Sequence, residues 1–174
     1  SISGDGLTMV VGCYGYNSNI GRIRILQYVN GNWNSGTDIV GSQGDEWFGY
    51  SVSINYNGTI VAVGASDFDT TSPTMFNAGR IVTYKLSSGG TWSVFGGNNL
   101  YGIQANEYFG WNVAISGYGN VLVGVAPFYD IVSTSDTDDG RMRVYYLSGS
   151  TWLQRGSDII GTATSNPVSA ALSY

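Results

Sequence analysis

The sequence predicts an all-β fold made of β-propeller blades, each of four antiparallel strands, with three repeats of about 60 residues. Three observations carry that prediction. Gly21-Arg22, Gly79-Arg80 and Gly140-Arg141 stand 58 and 61 residues apart, and each opens an alternating run. Trp33, Trp92 and Trp152 follow at spacings of 59 and 60. Val11-Gly12, Val63-Gly64 and Val123-Gly124 close three short apolar runs, and Phe48-Gly49 and Phe109-Gly110 open the strands leading into the second and third of them. The repeats divide the chain at 1–52, 53–114 and 115–174, the last including the start of a fourth.

The elements follow in order within a unit. Gly49 to Ile54 alternates small or polar residues with apolar ones, as a strand with one covered face does, and Asn57-Gly58 supplies the positive φ angles of a two-residue hairpin turn. Asp5-Gly6 plays the same part in the first unit. Thr59 to Ala65 and Val121 to Ala126 are apolar nearly throughout, which predicts inner strands covered on both faces. Arg80 to Leu86 and Arg141 to Leu147 are rich in β-formers and end in Ser/Gly turns at Ser87 to Gly90 and Ser148 to Ser150. A fourth strand begins at each tryptophan and runs into Gly-x-Asp/Asn-apolar-x-Gly, at Gly36 to Gly41, Gly97 to Gly102 and Gly156 to Gly161. Asn166 to Tyr174 reads as the first strand of a further unit, with Asn-Pro in place of Phe-Gly. Three blades do not close a ring, so the expectation is a piece of a larger six- or seven-blade propeller.

Composition removes several classes of chemistry. The chain has no His, one Cys and three Pro, which excludes a Ser/His/Asp triad, a His-ligated zinc site, a CxxC pair and an internal disulfide. Seven Lys and Arg against twelve Asp and Glu, a net charge of -5, leave no basic patch for nucleic acid. The longest apolar stretch, Val121 to Tyr129, is far shorter than the roughly 20 residues of a transmembrane helix.

Phe48-Gly-x-Ser-Val-x-Ile54, Phe109-Gly110-Trp111-Asn112-Val113-Ala114-Ile115, Val63-Gly-Ala65, Gly-Arg at the third strand and Trp152 to Gly161 resemble the FG-GAP repeats of integrin α-chain β-propellers. That resemblance implies an extracellular or cell- or virion-surface location and a calcium loop between the first two strands. The loops here, Ser3-Gly4-Asp5-Gly6, Asn55-Tyr56-Asn57-Gly58 and Ser116-Gly117-Tyr118-Gly119, hold too few carboxylates for six to eight oxygen ligands, so no Ca2+ is expected there.

Candidate sites fall on the loop after the second strand, which is short at Tyr14 to Ile20 and longer at Ser66 to Ala78 and Pro127 to Asp139. Asp136, Asp138 and Asp139 form the densest carboxylate cluster and are the metal candidates, with Asp67 and Asp69 weaker; a solvated acidic turn is the competing reading. Trp47, Tyr101, Tyr108 and Trp111 are the binding candidates, as rings able to stack on a sugar. Trp33, Trp92 and Trp152 repeat in register and are assigned to packing between blades. Arg22, Arg80 and Arg141 are assigned to structural pairing with Asp38, Asn99 and Asp158. Cys13 aligns with Ala65 and reads as a small buried residue, and Asp45 and Glu46 read as a turn before Trp47. Asn57-Gly58-Thr59 is an N-glycosylation sequon, so Asn57 is a glycan candidate.

The expectation is therefore a non-enzymatic extracellular interaction or adhesion module, a glycoprotein binding a protein or glycan partner through propeller loops. The alternative is a structural repeat protein of a surface appendage, filament or virion component, whose partners are further copies of itself.

Overall fold

The computed structural model describes residues 1–131, 138–161, 167 and 169–173. The first sheet holds β1 (Thr8–Cys13), β2 (Arg22–Val29) and β3 (Asn32–Val40) in that order. The second is β4 (Phe48–Ile54), β5 (Ile60–Ala65), β8 (Arg80–Leu86) and β9 (Trp92–Tyr101), and the loop between β5 and β8 carries a small hairpin of β6 (Thr70–Thr71) and β7 (Thr74–Met75). The third is β10 (Asn112–Ile115), β11 (Val121–Ala126), β12 (Arg141–Ser148) and β13 (Thr151–Gln154), with β14 (Ile159–Ile160) also pairing β12. Every ladder within these sheets is antiparallel. The described sheets are blade-like, and none closes on itself.

Alternation along β5 explains how the sheets stack. All six of its residues are buried. Val61, Val63 and Ala65 join Val10, Ile23, Ile25, Phe48 and Val82 in a core shared with the first sheet. Ile60 and Ala62 point the other way, to Ile81, Phe109, Val113, Leu122 and Trp152 in a core shared with the third. Each such aliphatic or Phe side chain contributes about 1.5–3 kcal/mol on burial, which makes the two junctions the main source of cohesion.

The turn after the first strand differs from the two-residue hairpin expected. In three places a carbonyl accepts from the N–H three residues on, Gly6 to Ser3 at 2.9 Å, Gly58 to Asn55 at 3.2 Å and Gly119 to Ser116 at 2.8 Å. Only the glycine of each has positive φ, at 73°, 67° and 71°. The Asn55 side chain makes the tighter two-residue turn unnecessary, because its Oδ1 accepts the N–H groups of Thr59 and Ile60 at 2.9 and 2.8 Å. Residues 170–172 line a small cavity with Val113–Ile115 and Ser1, and the Ala170 N–H donates to Asn112 Oδ1 at 2.8 Å. No strand is formed among the described residues there.

The tryptophans divide. Trp152 is 5% exposed and donates from Nε1 to Thr83 Oγ1 across the second junction at 3.0 Å, and Trp92 packs against the first core. Trp33 is 38% exposed and touches Tyr28 of its own sheet, so the packing expected of it between blades is not made here.

Candidate functional site

The ends of the sheets carrying the loops after β1, β5 and β11 also carry the linkers into β4 and β10. There the chain repeats one polar lock. Glu46 and Glu107, both fully buried, accept from Arg80 and Arg141 at 2.7 Å each. Their other oxygens accept the N–H groups of Ser42 and Gln43, and of Ile103 and Gln104. Gln43 and Gln104 exchange two bonds each with the backbones of Asp69 and Asp130, the N–H to Oε1 bond being 2.8 Å in both. An aromatic ring covers each arginine: Tyr16 over Arg22 at 4.3 Å, Phe68 over Arg80 at 4.0 Å and Tyr129 over Arg141 at 4.4 Å.

The pairing expected of the arginines is thus right in part. Arg22 meets Asp38 at 3.1 Å and Arg141 meets Asp158 at 3.4 Å, while Arg24 and Arg143 bind the same two carboxylates more closely, at 2.6 and 2.8 Å. Arg80 does not meet Asn99, whose amide reaches Tyr101 Oη instead. Glu46 was legible only as an acid in a turn and its counterpart Glu107 was not singled out, because each lies 34 residues before its arginine, in the preceding unit.

Above this lock lies a continuous aromatic band. Tyr14, Trp47, Tyr50, Trp111, Tyr108 and Phe128 are linked ring to ring at centroid distances of 4.7–6.2 Å. Three of the four expected binding residues, Trp47, Tyr108 and Trp111, are therefore brought together. Tyr101 lies apart, its ring tilted against Phe68 at 5.7 Å.

Asp67 stands beside the band and breaks the repeat. Pairing of Cys13 with Arg22, Ala65 with Arg80 and Ala126 with Arg141 puts Gly15, Asp67 and Phe128 at equivalent positions. A residue demanded by blade packing recurs; this carboxylate does not. It is half-buried and accepts from the hydroxyl of the fully buried Ser66 at 2.7 Å. Burial pushes its carboxyl above the ordinary range, the Ser66 bond opposes this, and the charges of Asp69 and Asp45 reinforce it. Tyr50 and Tyr108 are raised by burial and then by neighbours that include Asp67. Both phenols hence stay protonated donors where Asp67 is ionised.

The acidic candidates serve the loop. The Asp139 carboxylate, 4% exposed, accepts the Ile131 N–H at 2.9 Å, and the Asp138 N–H is taken by Asp130. Asp136 lies outside the described residues. Among the described residues no group of three His, Cys, Asp or Glu is placed to hold a metal ion. Asn57 is exposed at the opposite end of the sheets, where its Oδ1 accepts from Thr59 Oγ1 at 2.6 Å.

No protein-family model matches the sequence, and no curated protein matches it. Solved structures do. One, provisionally assigned as a 6-phosphogluconolactonase from Bacteroides fragilis, aligns with a TM-score of 0.60 at 13% identity over 97% of this chain and 39% of its own. Another, from Bacteroides uniformis with the same provisional assignment, gives 0.56 at 12% identity over 90% of this chain and 39% of its own. The chain thus spans about two fifths of their length, and at such identity the likeness establishes the fold.

These findings correct the resemblance to FG-GAP and integrin repeats. The structure supplies the reason: the Phe-Gly, Gly-Arg and Trp signals are packing requirements. A side chain at Gly21 or Gly79 would collide with the backbone of Phe48 or Phe109, and Phe48 and Phe109 are wholly buried. Such residues mark a blade and carry no family. The adhesion-module reading, its structural-filament alternative and the exclusion of enzymatic activity fall with it, since the solved structures it resembles carry the name of an enzyme. Among the described residues no helix is long and apolar enough to cross a membrane.

Proposed function

We propose that this chain is part of a propeller enzyme that hydrolyses a cyclic ester of a polyhydroxylated, sugar-derived molecule on the aromatic face, with Asp67 as general base. The carrying observation is a half-buried carboxylate, not repeated at the equivalent positions Gly15 and Phe128, beside the two phenols Tyr50 and Tyr108. The names of the two Bacteroides structures support the reaction class. Three sheets against two fifths of their length correspond to a ring of about seven or eight blades.

A carboxyl raised toward neutrality is a better proton acceptor from water than an ordinary one. Asp67 takes a proton from a water whose oxygen attacks the ester carbonyl carbon. The resulting oxyanion accepts hydrogen bonds from the phenols. The ring C–O bond then breaks, and the leaving alkoxide takes the proton back from Asp67, giving an open-chain hydroxy acid. The band offers the apolar faces on which a sugar ring stacks. Asp45, Asp67 and Asp69 make the surroundings negative, and Arg22 and Arg80 are committed to Asp38 and Glu46, which favours an unphosphorylated substrate at these residues.

The test is proton release in a pH-stat with glucono-δ-lactone, comparing the protein with Asp67→Asn. Acceleration over buffer that falls about 10²–10⁴-fold in the variant, with unchanged Tm, is expected. No acceleration, or a fully active variant, would sink the proposal.

A further inference from the structure

The hairpin β6–β7 walls a pocket of about 400 Å³ against the end of β9 and the linker that follows it. Phe68, Pro73, Met75, Tyr101 and Ile103 form its apolar lining, and Thr70, Thr71 and Ser72 its polar rim. In the first sheet the corresponding loop runs only from Tyr14 to Gly21, too short for such a hairpin, so this wall is not common to every blade. We infer that the pocket binds an uncharged, planar aromatic group with a hydrogen-bonding edge.

Three features select that ligand. First, the rings of Phe68 and Tyr101, in contact and inclined by 32°, present an aromatic wall, and the other apolar lining residues, Pro73, Met75 and Ile103, are aliphatic or thioether. Second, no charged side chain lines it: Arg80 lies behind Phe68, 7% exposed and paired with Glu46, so neither a carboxylate nor a phosphate finds a counter-charge. Third, the rim can bind polar edges. Tyr101 Oη accepts from Asn99 and keeps its own proton to donate, and the Thr71 and Ser72 hydroxyls carry no intramolecular bond. Thr70 is spent on the Pro73 carbonyl, at 2.6 Å, and shapes the hairpin. The volume lies within the 300–1,000 Å³ of small-molecule sites, and the mix of apolar wall and few polar groups is theirs too.

The inference does not depend on Asp67 being catalytic. N-phenyl-1-naphthylamine is neutral, offers a flat naphthyl ring and one N–H, and brightens in apolar surroundings. Titrated into the full chain, it should give a saturable rise with micromolar Kd. Tyr101→Ala removes half the aromatic wall and Ile103→Trp fills the pocket from an exposed position, so each should weaken binding at least tenfold, with Tm as the check on folding. Asp67→Asn should leave it unchanged. Absence of saturation, or saturation indifferent to both pocket variants, would overturn the assignment.

Discussion

Gly79 sits at φ +78° with the Phe109 backbone against the position a Cβ would take, whereas Gly31, at +82°, has open space around it. Both should resist Ala through the left-handed conformation, by about 1–2 kcal/mol, but only Gly79→Ala adds a backbone collision and should lose about 3 kcal/mol or more in urea titrations. At Asp158 burial raises the carboxyl, yet the bonds from Arg143 and Gln154 and the charges of Arg143 and Arg141 outweigh it and hold the group below 3.8. A depressed carboxyl contributes stability above its unfolded pKa and loses it as pH falls through the folded one. Lowering pH from 4 into the range below 3.8 should therefore reduce the Tm of the wild type more than that of Asp158→Asn. Single residues were unevenly legible. Repetition exposed Arg22, Arg80 and Arg141, but the buried carboxylates of Arg80 and Arg141 lie 34 residues upstream, in the preceding unit, and Arg80 has no acid at the Asn99 position, so its partner, Glu46, emerges only in the fold.

Between elements, the linker locks are the most exposed to mutation. Glu107→Gln takes the nearer carboxylate from the fully buried Arg141, leaving it Asp158 at 3.4 Å, and should cost about 3–5 kcal/mol, while replacing both partners by apolar residues of similar volume should recover most of that. A double-mutant cycle by denaturant unfolding checks it; additive losses would show the pair uncoupled. Trp152→Ala should cost about 3–5 kcal/mol for its buried ring, and Trp33→Ala less than about 1 kcal/mol. The strands themselves were legible because β5 and β11 are apolar on both faces and because the turns at Gly6, Gly58 and Gly119 put their positive φ on a glycine. The aromatic cover of each arginine was not, because Val123-Gly124 imitates Val63-Gly64 one residue out of register: Gly64 pairs with Ile81, but it is Val125 that pairs with Met142. Counting along the sequence therefore misaligns Phe68 with Phe128, when its counterpart is Tyr129. Three of the band's six rings, Trp47, Tyr108 and Trp111, were legible as separate candidates, and its continuity was not, since it crosses between sheets.

Over the whole molecule, burial falls from the middle sheet outward. β5 is buried throughout, while Tyr28, Val29 and Trp33 at the outer end of the first sheet are each more than a third exposed. Native-state hydrogen exchange should follow that gradient, slowest at β5 and fastest around Val29 and Asn32; uniform protection would contradict the burial. The linker locks bear finally on descent. Glu46 with Arg80 and Gln43 with Asp69 fall inside one segment only if it is cut near Gly41, just after β3, and not at Phe48, where the strand begins. A gene duplication with that earlier breakpoint delivers a blade together with its own fastening, so a newly copied unit is anchored from the first generation without matching substitutions in its neighbours.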